Sequence, residues 1–369
     1  MKLIVIIFPF LYLAGNYYVF AKALKLIGGL SFLGSYTTLA KIGFGILFWI
    51  AAFLMVICIF GRGLEIPPYI HRAMFAIGAV WLVFILYMVM ALAVTDIAKL
   101  IFPWLKHSFA ICFAFTCCIL IYGWWNYHTP KVEKINITLD KKACSLAQDL
   151  KIVGISDIHL GYGTGKGQLK KYVELINSLK PDIILIAGDL IDNSLTPLYQ
   201  ENMQEELSML KAPLGIYMAL GNHEYISGVK KSCEFLGKTP IKVLRDTVVT
   251  LPNGVQIIGR DDRHNKQRKT LEELVSLTLP DNPLILLDHQ PYELGKTDSL
   301  KIDLQLSGHT HRGQIWPISL LTDVMYEQSY GYKKWEHSHI YVSSGLSLWG
   351  PAFRIGTQSE IVLFTISHI

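Results

Sequence analysis

Side chains that can bind metal ions occur in five short groups in the second half of the chain. The groups are Asp157-Ile158-His159, Gly188-Asp189, Gly221-Asn222-His223-Glu224, Asp288-His289 and Gly308-His309-Thr310-His311. Their candidate ligands, which bind through oxygen or nitrogen, are Asp157, His159, Asp189, Asn222, His289, His309 and His311. His223 is an additional histidine. Such a set can hold two divalent metals side by side, with a catalytic group beside them.

Each group follows a short apolar stretch that is typical of a β-strand. In chain order these stretches are KIVGIS, DIILIA, GIYMAL, LILL and DLQLS. In open α/β sheets, ligands bind at the carboxyl ends of the strands. A single histidine after a strand is usually an ordinary surface or core residue. Five strand ends that all finish in metal-capable side chains predict one shared metal site.

The types of ligand also restrict the metal. Carboxylates, imidazoles and one amide without a thiolate suit Mn²⁺, Fe²⁺ or Zn²⁺, and the sequence does not rank these ions. Two metals roughly 3.5–4 Å apart need one bridging carboxylate. Asp189 is the natural bridge, because the adjacent Gly188 allows close approach of the backbone. The sequence therefore predicts two divalent metal ions per chain.

The elements around these groups begin after Pro130. Strands are predicted at about Val132–Leu139, Lys151–Ser156, Asp182–Ala187, Gly215–Leu220, Leu284–Leu287, Asp303–Leu306, Ile340–Ser343 and Glu360–Ile366. Helices are predicted at Gln168–Leu179, Leu198–Leu210, Gly228–Leu236 and Leu271–Leu277. Strands first alternate with helices and then run as hairpins. This order predicts two mixed sheets packed together and covered by helices.

Four apolar segments precede this region, at about Leu3–Phe20, Ile42–Phe60, Ala73–Val94 and Ile101–Trp125. Each is close to the roughly 20 residues that a helix needs to cross a bilayer. We therefore predict a four-helix transmembrane region at residues 1–129 and a separate domain at residues 130–369. Four spans would put both ends of the chain on the same side. Basic residues flank the two faces equally, so they do not indicate which side.

Composition agrees with a membrane part and a water-soluble part, since 51% of the residues are hydrophobic. Residues 1–129 carry eight basic and two acidic residues, a net charge of +6. Residues 130–369 carry 26 basic and 27 acidic residues, a net charge of −1. The second part lacks the basic field that drives nucleic-acid binding, so no nucleic-acid partner is expected. The six cysteines, of which Cys144 and Cys233 are isolated, do not form a zinc or disulfide pattern.

The ordered motifs resemble the calcineurin-like metallophosphoesterase superfamily over about residues 150–369. The nearest resemblance is to bacterial membrane-attached phosphohydrolases of the YkuE type, a group that includes a pyrophosphatase acting on UDP-diacylglucosamine. The resemblance implies an α+β fold, a four-layer αββα sandwich, for residues 130–369. It also implies two metal-binding sets. These are Asp157, His159, Asp189 and His311 for one metal, and Asp189, Asn222, His289 and His309 for the other.

The same resemblance leaves His223 free to meet the substrate. Glu224 stands where many relatives have aspartate, a conservative change if this side chain only orients His223. A hydroxide that bridges the two metals would attack phosphorus in line. His223 would protonate the leaving oxygen or stabilise the transition state, and is therefore the predicted catalytic residue.

Three further side chains are candidates for substrate binding: Arg260, Asp262 and Arg312. The segment that contains the first two, residues 259–264, is equally typical of a salt-bridged turn that supports a ligand histidine. Four aromatic residues could form an apolar mouth for acyl chains or belong to the ordinary core: Trp316, Trp335, Trp349 and Phe353. The glycine-rich residues 163–167 resemble a phosphate-binding loop but lack its Ser/Thr, which favours a flexible loop near the mouth of the site.

The sequence thus predicts a membrane-embedded phosphohydrolase that cleaves phosphate or pyrophosphate esters of a lipid-linked substrate. The alternative is a phosphodiesterase for small soluble phosphodiesters or nucleotides, in which the helices are only an anchor. The expected location is a multi-pass position in a bacterial cytoplasmic membrane, with the lipid bilayer as a partner. Several membrane-attached relatives act outside the cytoplasm, which favours an extracytoplasmic domain. A UDP-linked lipid substrate would require the cytoplasmic side.

Overall fold

The computed structural model describes residues 2–60, 66–103, 108–139 and 149–368, and Cys144 lies outside them. The α-helices are α1 Lys2–Gly28, α2 Thr37–Phe60, α3 Pro68–Ile101, α4 Ser108–His128, α5 Lys166–Ser178, α6 Thr196–Gln200, α7 Gln204–Leu207, α8 Asn222–Ile226, α9 Val229–Leu236, α10 Leu271–Val275, α11 Leu294–Ser299 and α12 Ile318–Met325. The strands are β1 Lys131–Leu139, β2 Leu150–Ile155, β3 Ile183–Ala187, β4 Ile216–Ala219, β5 Ile241–Leu244, β6 Thr247–Thr250, β7 Gln256–Gly259, β8 Leu284–Leu287, β9 Leu304–Ser307, β10 Gly331–Lys334, β11 His339–Val342 and β12 Glu360–His368. Two short 3₁₀ helices occupy Ser31–Tyr36 and His311–Gly313.

The chain divides into two compact units. The first contains Met1–Trp124 and Gly350–Ala352, and the second contains Trp125–Trp349 and Phe353–Ile369. The last turn of α4 therefore belongs to the second unit. The functional division into residues 1–129 and 130–369 stays a prediction.

The first unit is built from long apolar helices. Among the described residues, three helical stretches are long and apolar enough to cross a membrane: Ser31–Cys58, Tyr69–Ile101 and Ser108–His128. The prediction of four spans is therefore corrected to three. The first predicted segment is helical within α1 but is not among these candidates. The argument that an even number of spans puts both chain ends on one side no longer holds.

Helices α1, α2 and α3 pack through a small apolar cluster that includes Val19, Phe48 and Met88. Two polar contacts accompany it. The buried Asn16 side chain accepts a hydrogen bond from the Trp81 indole at 2.9 Å, and Asp96 of α3 forms ion pairs with Lys22 and Lys99. Polar groups in an apolar helix bundle are satisfied by such partners, which also fix how the helices pair.

Two six-stranded sheets form the second unit. The first has the strand order β1-β12-β2-β3-β4-β5, and the second has the order β10-β11-β9-β8-β7-β6. Strands β2, β3, β4 and β5 are parallel neighbours. Strands β7, β8, β9 and β11 are likewise parallel. Because parallel strands end at the same edge, the loops that follow them meet there.

Side chains alternate between two apolar layers, as the period of a strand requires. Ile152 and Leu185 of the first sheet share a core with Ile257 and Leu304 of the second. The opposite face of the first sheet packs against α5, for example through Val153 and Ile184 with Leu169 and Tyr172. A smaller core lies between the second sheet and α10. The layers are thus helix, sheet, sheet and helix, which confirms the predicted αββα sandwich.

The helix predicted at Leu198–Leu210 is two short helices, α6 and α7. Asn202 lies between them with φ +50°, a left-handed conformation that ends an α-helix. Helix α12 was not predicted. Its sequence ISLLTDVM is apolar at most positions, which does not distinguish a helix from a buried strand.

Candidate dinuclear metal centre

The five groups singled out in the sequence meet at one edge of the two sheets. Ligand atoms of Asp157, His159 and His311 lie within 4.8 Å of one another. Ligand atoms of Asp189, His289 and His309 form a second such set. These side chains follow strands β2, β3, β8 and β9, and Asn222 follows β4. The structure therefore brings together all seven residues that the sequence nominated as metal ligands.

In the first set, imidazole nitrogens and carboxylate oxygens point at a common centre. The Nε2 atoms of His159 and His311 are 3.2 Å apart. Oδ1 of Asp157 lies 3.5 Å from Nε2 of His311 and 3.8 Å from Nε2 of His159. Both histidines are buried. Two buried imidazoles that face each other beside a carboxylate suit a shared cation.

The second set contains an amide as well. Oδ1 of Asn222 lies 2.8 Å from Nδ1 of His309 and 3.2 Å from Nε2 of His289. Oδ2 of Asp189 is 3.1 Å from Nε2 of His289 and 3.8 Å from Nε2 of His159. Asp189 thus reaches both sets, as the predicted bridge would.

Hydrogen bonds behind the ligands fix their orientation. Nδ1 of His289 donates to the carbonyl oxygen of Ala187 at 2.7 Å, which leaves Nε2 free to accept a metal. The backbone N–H of His309 donates to both oxygens of Asp157 at 3.1 Å. The backbone N–H of His223 donates to Oδ1 of Asp189 at 2.8 Å. Such partners hold each ligand in place before any metal binds.

Several ligand residues have strained backbone conformations. The residues with positive φ include Asp157, His159, Asp189, His309 and His311, with φ from 49° to 72°. Non-glycine residues adopt this region rarely, and such strain clusters at functional sites. Gly188 has φ +79°, and a Cβ there would lie 2.6 Å from Nδ1 of His289. Only glycine fits this position, as close approach at the bridge requires.

Glu224 has a different role from the one considered for it. Its carboxylate accepts backbone N–H groups of Asp189 at 3.0 Å, Ile191 at 2.9 Å and Gly221 at 2.8 Å. Glu224 therefore holds the loops that carry Asp189 and Asn222. These three hydrogen bonds go to backbone groups and do not involve the imidazole of His223. Burial and the nearby Asp189 charge raise the pKa of Glu224 to about 7.

Asp192 is the residue near His223 that sequence reasoning missed. Its Oδ1 lies 3.1 Å from Nδ1 of His223. This distance is that of an ion pair, but the two atoms are not aligned for a hydrogen bond. The same oxygen is 3.5 Å from Nδ1 of His159. The signal was available, because Asp192 lies three residues after Asp189 in Gly188-Asp189-Leu190-Ile191-Asp192. Asp192 lies outside the five groups of predicted ligands.

The electrostatics of the site favour added positive charge. Burial alone would raise the pKa of Asp157 and Asp189, but the neighbouring histidines outweigh it and hold both carboxylates below their usual range. Burial alone would lower the pKa of His159, yet Asp157 and Asp192 raise it to about 10. Asp189 likewise raises the pKa of His289 well above its usual value.

The other two histidines have the opposite behaviour. Burial lowers the pKa of His309 to about 4 and that of His311 to about 3. Buried carboxylates need compensating positive charge, which protonated His159 and His289 or bound metal ions can supply. Neutral imidazoles beside them are good ligands for borderline divalent metals. The donor set therefore fits two divalent metal ions, which is what the sequence predicted.

Two of the three candidate substrate-binding residues bind other side chains of the protein. The buried guanidinium of Arg260 binds Asp288 and Glu293, each at 3.1 Å. Buried Asp262 accepts from His264 and from Gln290. These contacts favour the interpretation of residues 259–264 as a turn that supports the loop of His289.

The third candidate, Arg312, differs because it is partly exposed. Its guanidinium lies 4.5 Å from the ring centre of Tyr330. Among the aromatic residues proposed for a mouth, Phe353 is buried and Trp335 packs beside Leu294, Ile340 and Val342. Trp316 and Trp349 are about half exposed, at 46% and 47%.

The glycine-rich loop after His159 is held near its middle. The hydroxyl of buried Thr164 lies 2.8 Å from that of Ser347, which in turn lies 2.8 Å from that of Tyr127 in the last turn of α4. The backbone N–H of Ser347 donates to the carbonyl of Asp157. The loop is thus connected to a metal-ligand segment through buried hydroxyl groups.

Comparison with known proteins agrees with this site. A model of the calcineurin-like phosphoesterase family matches residues 150–313. An uncharacterized metallophosphoesterase of Helicobacter pylori is 34% identical, over 67% of this chain and 68% of its own length. The uncharacterized metallophosphoesterase YkuE of Bacillus subtilis is 30% identical, over 66% of this chain and 89% of its own length. A zebrafish transmembrane protein with a metallophosphoesterase domain is 33% identical, over 67% of this chain and 60% of its own length.

Fold, site and relatives together define a phosphoesterase of the two-metal class. The chain belongs to the calcineurin-like metallophosphoesterase family. The resemblance drawn from the ordered motifs is therefore confirmed, including its YkuE-type branch. At the level of the family, the prediction of a metal-dependent phosphoester hydrolase with apolar, membrane-type helices is confirmed as well.

Proposed function

We propose that this chain is a membrane-embedded phosphohydrolase that cleaves a phosphate or pyrophosphate ester of a lipid-linked substrate. The observation that carries the catalytic part is the convergence of two ligand sets joined by Asp189, with His223 beside them. The proposal places the chain as a multi-pass protein in a bacterial cytoplasmic membrane, with an extracytoplasmic catalytic unit.

Each ligand has a proposed assignment. Asp157, His159, Asp189 and His311 hold one divalent ion, and Asp189, Asn222, His289 and His309 hold the other. When bound, such a pair of ions lowers the pKa of water and neutralises charge on phosphoryl oxygens. Manganese is our first choice for loading, because carboxylates, one amide and imidazoles without a thiolate suit it.

His223 is the proposed catalytic residue. Its ring packs against that of His159, with ring centres 4.5 Å apart, so it lies beside the first ligand set. Asp192 lies on its Nδ1 side and orients the ring. In this orientation His223 can give a proton to the leaving oxygen or bind the phosphoryl group as negative charge develops.

The lipid-linked part of the proposal rests on the short link between the last candidate span and the first strand. The candidate span Ser108–His128 is followed by strand β1 at Lys131. So short a connection keeps the catalytic unit near the lipid surface. A substrate that diffuses in the plane of the same membrane would then meet the site at high local concentration.

The first test is hydrolysis by the purified full-length protein loaded with Mn²⁺. One set of substrates contains soluble aryl phosphates and a bis-aryl phosphodiester. The other contains UDP-diacylglucosamine and phospholipid phosphates in mixed micelles, with Asp189→Ala as the blank. We expect a strong preference for the lipid set. Turnover of the soluble set alone would make the helices an anchor, and preferred turnover of the UDP-linked lipid would move the catalytic unit to the cytoplasmic side.

His223→Ala provides the matched variant for this assay. We expect it to keep its metal and to lose most of its turnover, about 100-fold or more. Metal analysis of the purified variant separates a catalytic role from a structural one. A metal-free variant would overturn the assignment of His223.

A further inference from the structure

Helix α12 has its apolar side chains outside and a polar side chain inside. Val324 is 87% exposed, Met325 62%, Leu321 61% and Leu320 55%. The buried residue of this helix is Ser319. A surface helix normally buries its apolar stripe. A contiguous exposed apolar face of this kind marks a surface that contacts something apolar.

The helix is well anchored, so its exposure does not come from a loose segment. The backbone N–H of Trp316 donates to the carbonyl of Ile355 at 2.8 Å. The hydroxyl of Thr357 donates to the carbonyl of Gln314 at 2.7 Å. At the other end, Asp323 accepts a hydrogen bond from Ser329.

The segment Arg354–Gln358 that anchors α12 also binds the last turn of α4. The side chain of Asn126 donates to the carbonyl of Arg354 at 3.3 Å. The side chain of Gln358 donates to the carbonyls of Asn126 at 3.0 Å and Thr129 at 2.8 Å. One five-residue segment therefore holds both the start of α12 and the point where the apolar span ends. If that span crosses the bilayer, α12 begins at the level of the lipid surface.

The far end of α12 approaches the metal ligands. Tyr326 directly follows the helix, and its ring centre lies 6.3 Å from that of His309. It also packs against Tyr292, with ring centres 5.2 Å apart. The start of the helix is thus linked to the end of the span, and its far end is next to a residue that packs against one ligand set.

We propose that α12 lies in the lipid surface, with its exposed apolar face in contact with acyl chains. The partner is the bilayer rather than a protein, because the helix starts where an apolar span ends. Interfacial helices bind in this way through apolar residues on one face. Through Tyr326, the helix would guide a lipid-linked phosphate from the bilayer to the site. This guiding role rests on the proposed function, whereas lipid contact by α12 does not.

Photo-cross-linking tests lipid contact without any need for turnover. A benzophenone amino acid is introduced in the full-length protein at Val324, at Leu321 or at Leu277. Leu277 is the matched control, since it is a 58% exposed leucine of the same unit outside α12. Each variant is reconstituted in phosphatidylethanolamine and phosphatidylglycerol vesicles that contain an alkyne-tagged phospholipid. We expect lipid adducts at Val324 and Leu321 about 10-fold above those at Leu277.

Equal labelling at all three positions would overturn the proposal, as would cross-links from α12 to a second copy of the chain or to another protein. A kinetic comparison tests the guiding role separately. Leu321→Asp combined with Val324→Asp should lower the ratio of lipid to soluble-substrate turnover about 10-fold, because charge opposes insertion. Leu277→Asp should leave this ratio unchanged. If the ratio of lipid to soluble-substrate turnover is unchanged in the α12 variant as well as in Leu277→Asp, the guiding role is refuted. If no substrate is turned over but the lipid adducts still form, only the proposed function is refuted.

Discussion

At the scale of single residues, Asp192 and His223 form the contact on which turnover should depend most. Their side chains lie 3.1 Å apart and are largely withdrawn from solvent. A carboxylate at this distance orients the imidazole ring and selects which ring nitrogen faces it. Asp192 does not belong to the predicted metal ligands, so its replacement should separate catalysis from metal binding.

We expect Asp192→Asn to lower kcat about 10- to 100-fold, because a neutral amide orients the ring of His223 less firmly than a carboxylate does. KM and metal content should stay near those of the unchanged protein. Steady-state kinetics across pH, together with metal analysis, measure all three quantities. The double variant with His223→Ala is the control, since Asp192→Asn should have little further effect there. Loss of metal would show instead that Asp192 acts through His159, which lies 3.5 Å from it.

At the scale of elements, Arg354 joins the loop of His311 to the connection between β11 and β12. Its guanidinium donates to the carbonyls of His311, Ser344, Gly345 and Ser347, at distances from 2.5 to 3.0 Å. Arg354 is fully buried. Burial lowers its pKa to about 10. One side chain thus satisfies carbonyl groups of a ligand loop and of the segment behind Asp157.

Replacement of Arg354 by leucine should lower the free energy of unfolding by about 3 kcal/mol or more, because buried carbonyls lose their donors. Thermal unfolding of the detergent-solubilised protein measures this change. Arg354→Lys is the matched control, since it retains the charge but provides fewer directed donors. It should be intermediate in stability. Equal stability of the leucine variant and the unchanged protein would mean that these hydrogen bonds are replaced by water.

Element boundaries show where local sequence was sufficient and where it was not. The strands before the ligand groups were predicted to within about two residues, since each combines an apolar run with a polar end. The predicted helix Leu198–Leu210 was wrong as a single element, because Asn202 interrupts it. Helix α12 was missed because its mostly apolar sequence does not distinguish a helix from a buried strand.

At the scale of the whole molecule, bound metal should stabilise the catalytic unit. The candidate metal centre contains buried carboxylates. Without metal, protonated histidines balance their charge. Divalent ions would replace those protons and bind only the folded chain. Ligand binding to the folded state alone raises stability by about 2.7 kcal/mol when the ligand is at 100 times its Kd.

Chelation should therefore abolish hydrolysis and lower the Tm of the catalytic unit by about 5–10 °C, and added Mn²⁺ should restore both. Differential scanning fluorimetry and activity assays on the full-length protein follow the two effects. Asp189→Ala is the control, since loss of the bridging carboxylate should make its Tm insensitive to metal. A metal-dependent Tm in that variant would contradict the bridging role.

The sequence by itself nominated the residues for the chemistry and identified the family to which the chain belongs. Ligand types are chemical properties of the side chains, and each ligand group directly follows an apolar strand, so a local pattern was enough. The two-sheet sandwich also followed from local pattern, because continuously apolar strands such as Ile183–Ala187 and Leu284–Leu287 must bury both of their faces.

Only the tertiary structure decided how these residues meet. Asp189 touches both candidate ligand sets, Asp192 lies beside His223, and Glu224 binds backbone rather than the ring of His223. The tertiary structure also turned the apolar side of α12 outward and tied its start to the end of α4. These relations join residues far apart in the chain. Their distances depend on the packing of whole sheets and helices, which no local pattern specifies.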